Sequence, residues 1–302
     1  MHLLAFVVVA ATLLPVAAWA QTQNLGHRLP GGVGLDAGVQ NDEGVFMGFR
    51  LVRYHAGRIN DRDGDPLPVP ELDIVARAAV IGLSGTFKLD GLPYLSAAVA
   101  APVVRFTADS GLPEAGIDRL ALGDVFVEPL KLGWRSSRAD VVGSYSFEIP
   151  TNQGARLGIG RSQWAHQLSA GGAVFFDDVR GWRASVLASY VLHQQKRGVD
   201  ITRGDTILVQ GGIGGRVLGV VDLGLAGYGL WQVTDDRGAD LPPGLRGLRE
   251  RVFGLGPELD YAIPSLRARL SVRYEWDLGA RSRPQGQLLV VSLAFVTWRP
   301  GA

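Results

Sequence analysis

The sequence contains no cysteine. Disulfide frameworks, thiolate metal centres and cysteine nucleophiles are therefore excluded. Nor does either charge dominate: 30 basic residues face 29 acidic ones, for a net charge of +1. A nucleic-acid binder needs surplus cations to neutralise phosphates, and this chain has none to spare. Histidine is scarce. His27, His55, His166 and His193 stand far apart and show no H-E-x-x-H or similar ligand spacing. Past the first residues, long apolar runs are also missing. The longest uncharged stretches, Gly91–Val104 and Pro284–Trp298, fall short of the ~18 residues that mark a membrane helix.

One short apolar run does occur, at Leu3–Leu14, followed by Ala18-Trp19-Ala20 and the polar Gln21. An apolar core followed by A-x-A is the pattern of a secretory signal peptide, and cleavage is expected after Ala20. The sequence thus divides into a leader (1–20), an N-terminal segment (21–43), a single domain (44–298) and a short tail (299–302).

Glycine is abundant, at 41 of 302 residues, about twice the usual ~7%. Each interior glycine costs a helix roughly 1 kcal/mol relative to alanine, so a helical protein is disfavoured. The hydrophobic pattern repeats every two residues instead. In Leu266–Leu278 the even positions are Leu, Ala, Leu, Val, Tyr, Trp and Leu, and the odd ones Arg, Arg, Ser, Arg, Glu and Asp. That is a strand with one apolar and one ionic face. Similar alternation predicts twelve strands, at 44–55, 71–87, 93–105, 122–134, 139–149, 163–176, 182–194, 205–217, 221–234, 250–261, 266–279 and 287–298. Their connectors alternate between long polar loops, such as 56–70 and 235–249, and short turns, such as 135–138 and 262–265.

An even strand number, apolar-out and polar-in alternation, and short turns on one rim define an outer-membrane barrel. The expected fold is therefore an all-β, antiparallel up-and-down transmembrane barrel. Tyr54, Trp134, Trp164, Trp182, Trp231, Trp276 and Trp298 lie near strand ends, where girdles at the two membrane interfaces would place them.

No catalytic site is legible, and no cofactor or metal site. Gly211-Gly212-Ile213-Gly214-Gly215 superficially resembles a phosphate loop, but no lysine follows and it falls within a strand, so close packing is the better reading. Asp61-x-Asp63-Gly64-Asp65 departs from the calcium-loop order and reads as a solvated turn. A membrane-embedded lipase would need a serine two positions from an outward histidine. His166 has Leu168 there, and His193 has Val191 and Gln195.

What remains is a set of inward polar residues. Arg183, His193, Glu258, Asp260, Arg267, Arg269, Arg273, Glu275 and Asp277 are the candidates for lining a lumen. They could select a solute or pair across a narrow barrel and fill it.

The string Gly123-Asp124-Val125-Phe126-Val127-Glu128-Pro129, with Trp134 after it, resembles the G-D-x-x-x-x-P … W core of a bacterial outer-membrane family named for the meta-pathway of phenol degradation. Further matching landmarks are Ile149-Pro150-Thr151, Gly181-Trp182 with Tyr190, Gly204-Asp205, Gly256-Pro257-Glu258, Arg273-Tyr274 and Gln285-Gly286. The resemblance runs from about Val45 to the C-terminus. It implies an outer-membrane barrel associated with uptake of aromatic or other hydrophobic compounds, and it brings no catalytic or binding residues. The expectation is a passive channel whose partners are outer-membrane lipid and a small-molecule solute. The alternatives are a structural or surface-interaction barrel with a plugged lumen and a soluble periplasmic binding module.

Overall fold

The computed structural model describes residues 30–110, 116–151 and 162–300. Its strands are β1 (Gly44–Asn60), β2 (Asp73–Lys88), β3 (Tyr94–Asp109), β4 (Ile117–Leu122), β5 (Val125–Arg135), β6 (Ala139–Ile149) and β7 (Ala165–Phe175). They continue as β8 (Trp182–His193), β9 (Thr206–Leu218), β10 (Val221–Gln232), β11 (Arg251–Ile263), β12 (Ala268–Arg281) and β13 (Arg283–Trp298). Every pairing is antiparallel, and β1 bonds to both β2 and β13, which closes the sheet. The barrel has twelve strand positions, because β4 and β5 share one: β4 pairs the end of β3 near its loop, and β5 pairs the other end.

That shared strand was expected as one piece over 122–134. One local feature breaks it, and a second bends the part that becomes β5. At Gly123 the backbone N–H turns back to the Pro102 carbonyl at 2.8 Å. Further on, the register shifts between Val127 and Leu130 around Pro129, which has no N–H to give the ladder.

The period-two pattern becomes two faces. Leu223, Leu225, Leu255, Leu259, Trp276 and Leu278 all point outward and are exposed, while the alternate residues on the same strands are inward. Free apolar side chains in that number on a closed barrel are what a lipid environment covers. The turns at 89–93, 136–138, 176–181, 219–220 and 264–267 form one rim, beside both ends of the barrel domain. Loops 61–72, 194–205 and 233–250 lie at the other, where β3 and β6 also end. The exception is between β12 and β13. A loop was expected there, but Ser282, at φ +51°, makes a tight turn. Long loops face outside and short turns the periplasm in such barrels.

Two aromatic assignments separate. Trp134, Trp182, Trp276 and Trp298 are exposed on the outer wall. Tyr54 is not a girdle residue, since it points inward, is 2% exposed and donates to Asp277 at 2.7 Å.

Candidate functional site

The lumen is occupied by the chain itself. Residues 30–43 enter at the periplasmic rim, next to the start of β1, and run along the barrel interior without joining the sheet. Leu35 and Ala37 are 0% exposed. The segment cannot join a closed sheet, so the wall side chains satisfy its backbone instead. Leu35 N–H donates to Glu258 at 2.8 Å, and Leu35 carbonyl accepts from Ser185 at 2.8 Å. Val33 N–H donates to Gln210 at 3.2 Å, Gln40 N–H to Asp140 at 3.0 Å, and the Gly32 carbonyl accepts from Arg50 at 2.8 Å. Arg273 donates to the Gly31 carbonyl.

Glycines make the fit possible. A Cβ on Gly212 or Gly224 would stand 2.9 or 2.6 Å from Leu35 Cδ2, so these two positions on β9 and β10 form the seat for Leu35. The glycine run at 211–215 thus has a partner inside the barrel as well as between strands.

The inward charges that alternation singled out surround this segment. Arg183 reaches Asp36 at 2.7 Å and Asp222 at 3.1 Å. Arg269 reaches Asp36 and Asp260, both at 2.6 Å. Arg273 sits between Glu258 at 3.4 Å and Glu275 at 3.2 Å, all three buried. Asp277 accepts from Tyr54 and Tyr228. Nearer the long-loop rim, Glu250 binds Arg283 at 3.2 Å and also pairs with Arg203. Register explains the pairing, since Glu258 lies directly opposite Arg273, and Asp260 opposite Ser271.

Arg267 is a correction. The chain makes a 3-10 turn at Pro264–Leu266, Arg267 caps it in the left-handed conformation at φ +47°, and β12 begins only at Ala268. Alternation was extended into a turn, and Arg267 is exposed on the rim, outside the lumen.

His193 lies elsewhere, in a recess beyond the segment. Phe126, Val191, Leu208 and Leu230 give its apolar surface, and Ser146, Glu148, Gln167, His193 and Thr206 its polar one. It is narrow, with about 20 Å³ of free volume, and it opens to solvent. Mostly apolar walls with a few placed polar groups are the lining chemistry of small-molecule sites. His193 Nδ1 donates to the Gly204 carbonyl at 3.0 Å, and Gln167 donates to Ser169 at 2.8 Å. The recess and the segment meet along β9, because Gln210 binds Val33 and Leu208 and Thr206 are the next inward residues.

Sequence reasoning missed Asp36, Asp222, Gln210 and the apolar half of the recess. For Asp36 one signal existed: Arg183 faces inward with no acid on β7 or β9 beside it, and so needs an anion from elsewhere. In the Asp61 turn, the N–H groups of Asp63, Gly64 and Asp65 all donate to Asp61 Oδ1 at 2.9 Å. These bonds, the one from Asp65 most of all, hold the Asp61 carboxyl below its usual pKa. Among the described residues no group of three or more His, Asp or Glu could hold a metal ion.

A closed twelve-stranded barrel with an apolar outer wall and an ionic interior defines a bacterial outer-membrane barrel protein. Residues 56–293 match the family described as "Putative MetA-pathway of phenol degradation", and the chain belongs to that family. No curated protein matches it. In fold it is similar to an outer membrane channel from Pseudomonas putida F1, with TM-score 0.73 and 13% identity, over 88% of this chain and 98% of that one. It is also similar to the translocator domain of the autotransporter NalP from Neisseria meningitidis, with TM-score 0.53 and 13% identity, over 85% and 90%.

Proposed function

We propose that the protein is a channel for small hydrophobic or aromatic solutes, which pass by diffusion through the lumen once the N-terminal segment shifts. The observation that carries this reading is the recess beside that segment. Its apolar walls would meet a ring, and its glutamine, histidine and hydroxyl groups a polar substituent, once the shift of the segment widens it. The paired charges along β10–β13 supply both signs in one space, so neither cations nor anions are favoured. The outer membrane channel from Pseudomonas putida F1 shares the fold, and the family description names phenol degradation; both agree with this reading.

A second reading is a closed, structural barrel, and the same N-terminal segment favours it, since it fills the periplasmic half of the lumen. Uptake into proteoliposomes separates the two. A neutral aromatic solute that crosses lipid slowly, such as hydroxybenzamide, should enter faster than into empty liposomes, and faster than a comparably sized ion. No flux above empty liposomes would establish the structural reading.

A further inference from the structure

The outer wall of β1–β3 carries a row of three arginines. Arg53 on β1 lies directly opposite Arg77 on β2, and Arg77 lies directly opposite Arg105 on β3. All three are exposed, and all face away from the lumen. Like charges directly opposite each other on neighbouring strands destabilise a sheet, and here two such pairs adjoin. Asp118 on β4 grips Arg105 with two bonds, at 3.0 and 2.7 Å. Among the described residues no ion pair reaches Arg53 or Arg77. The acids nearer the loops are otherwise placed: Asp73 pairs with His55 at 2.9 Å, and Asp109 lies opposite Asp73. The row therefore has a net positive charge on the membrane side of these acids.

Its height is set by the residues beneath it. Phe49, Leu51, Ile81, Leu83, Val99 and Val103 are exposed on the same wall, on the periplasmic side of the row. On β3 the outward apolar run from Leu95 to Val103 matches the ~9–11 residues with which a tilted strand crosses the hydrocarbon, and Arg105 follows directly. The three guanidinium groups thus sit at the headgroup level of the outer leaflet. Scattered cations at an interface need no partner, because they extend into water. Asp118 offsets one of the three charges in this hydrogen-bonded row; the excess that remains is repulsive unless a further anion lies across it, and arginine engages phosphate oxygens two at a time.

We infer that Arg53, Arg77 and Arg105 form a binding site for the phosphorylated glycolipid of the outer leaflet, its phosphates across the row and its acyl chains along the apolar wall below. This site is on the outside of the barrel and stands independently of any solute passing within.

The test uses the full-length protein in phosphatidylcholine vesicles and reads the midpoint of heat unfolding. Diphosphorylated lipid A should raise the midpoint, whereas dephosphorylated lipid A, phosphatidylglycerol and inorganic phosphate should leave it in place. Arg77→Gln, which spares the Arg105–Asp118 pair, should require roughly tenfold or more lipid A for the same shift, because hydrogen bonds to charged groups are lost. Arg62→Gln, in the β1–β2 loop, should behave as wild type. Equal shifts from the dephosphorylated lipid or from free phosphate would overturn the site, as would a preference for phosphatidylglycerol. An Arg77→Gln response equal to wild type would do the same, and the wild-type comparison alone decides if that variant does not fold.

Discussion

Asp36, on the N-terminal segment, lies 2.7 Å from Arg183 on β8, and this contact joins a segment outside the sheet to the barrel wall. Burial alone would raise the Asp36 pKa, but Arg269 and Arg183 outweigh it, and the carboxyl is held below its ordinary value. A pKa lowered in the docked state means that docking is favoured above the ordinary carboxylate range and is lost as pH falls through the lowered value. The Asp36 contact should therefore persist from neutral pH down to about pH 5, and its release should add to single-channel conductance only below the ordinary carboxylate range. Asp36→Asn should show the raised conductance at neutral pH. An unaltered Asp36→Asn channel, or one that keeps the full wild-type rise at acid pH, would show that this contact does not hold the segment.

Gly38 tests the same docking by a steric route. Its φ is +73°, and a Cβ there would stand 2.5 Å from both Gly172 N and the Val186 carbonyl. Backbone on two strands cannot yield as a flexible side chain could. Gly38→Ala should displace the segment while the barrel still forms, so protease cleavage within residues 30–43 should increase and the folded band on gels should persist. Unchanged protection would contradict the described seating.

Much of this was legible in the sequence, and the line between legible and hidden is physical. Strand positions and facing came through because the alternation of Leu223, Leu225, Leu255 and Leu259 with polar neighbours is enforced at every residue by lipid outside and water or charge inside. The route of residues 30–43 did not, because a chain that crosses a lumen has no period of its own; its register is imposed by Glu258, Gln210 and Arg273 on distant strands. Arg267 was misplaced for the opposite reason: a turn can continue an alternating pattern by chance, and only the backbone at φ +47° reveals it.

Arg273 anchors the central charge group. Removing it leaves Glu258 and Glu275 buried without their cation. Breaking a buried pair from one side costs about 3–5 kcal/mol. Arg273→Ala should lose that amount in urea unfolding from vesicles, and Arg267→Ala, on the rim, should lose almost nothing. Similar losses for both would undo the distinction drawn between them.

Leu225, midway along β10, is 52% exposed and faces outward. Arginine at the bilayer midplane costs about 2–4 kcal/mol, so Leu225→Arg should destabilise folding into vesicles by that amount. Leu225→Phe should be near neutral, because no protein atoms crowd the outer wall there. A destabilising Phe variant would mean that this face packs against something other than lipid.

The central claim is that the N-terminal segment governs passage through the lumen. The absence of native cysteine allows a direct test with Leu35→Cys and Ser185→Cys, since Ser185 Oγ lies 2.8 Å from the Leu35 carbonyl and a cysteine there leaves the glycine seat intact. With the disulfide closed, as confirmed by mass, hydroxybenzamide uptake into proteoliposomes should fall to the level of empty liposomes, and reduction should restore it. Equal uptake in the oxidised and reduced states would contradict the account, because the solute would then be passing without any movement of the segment.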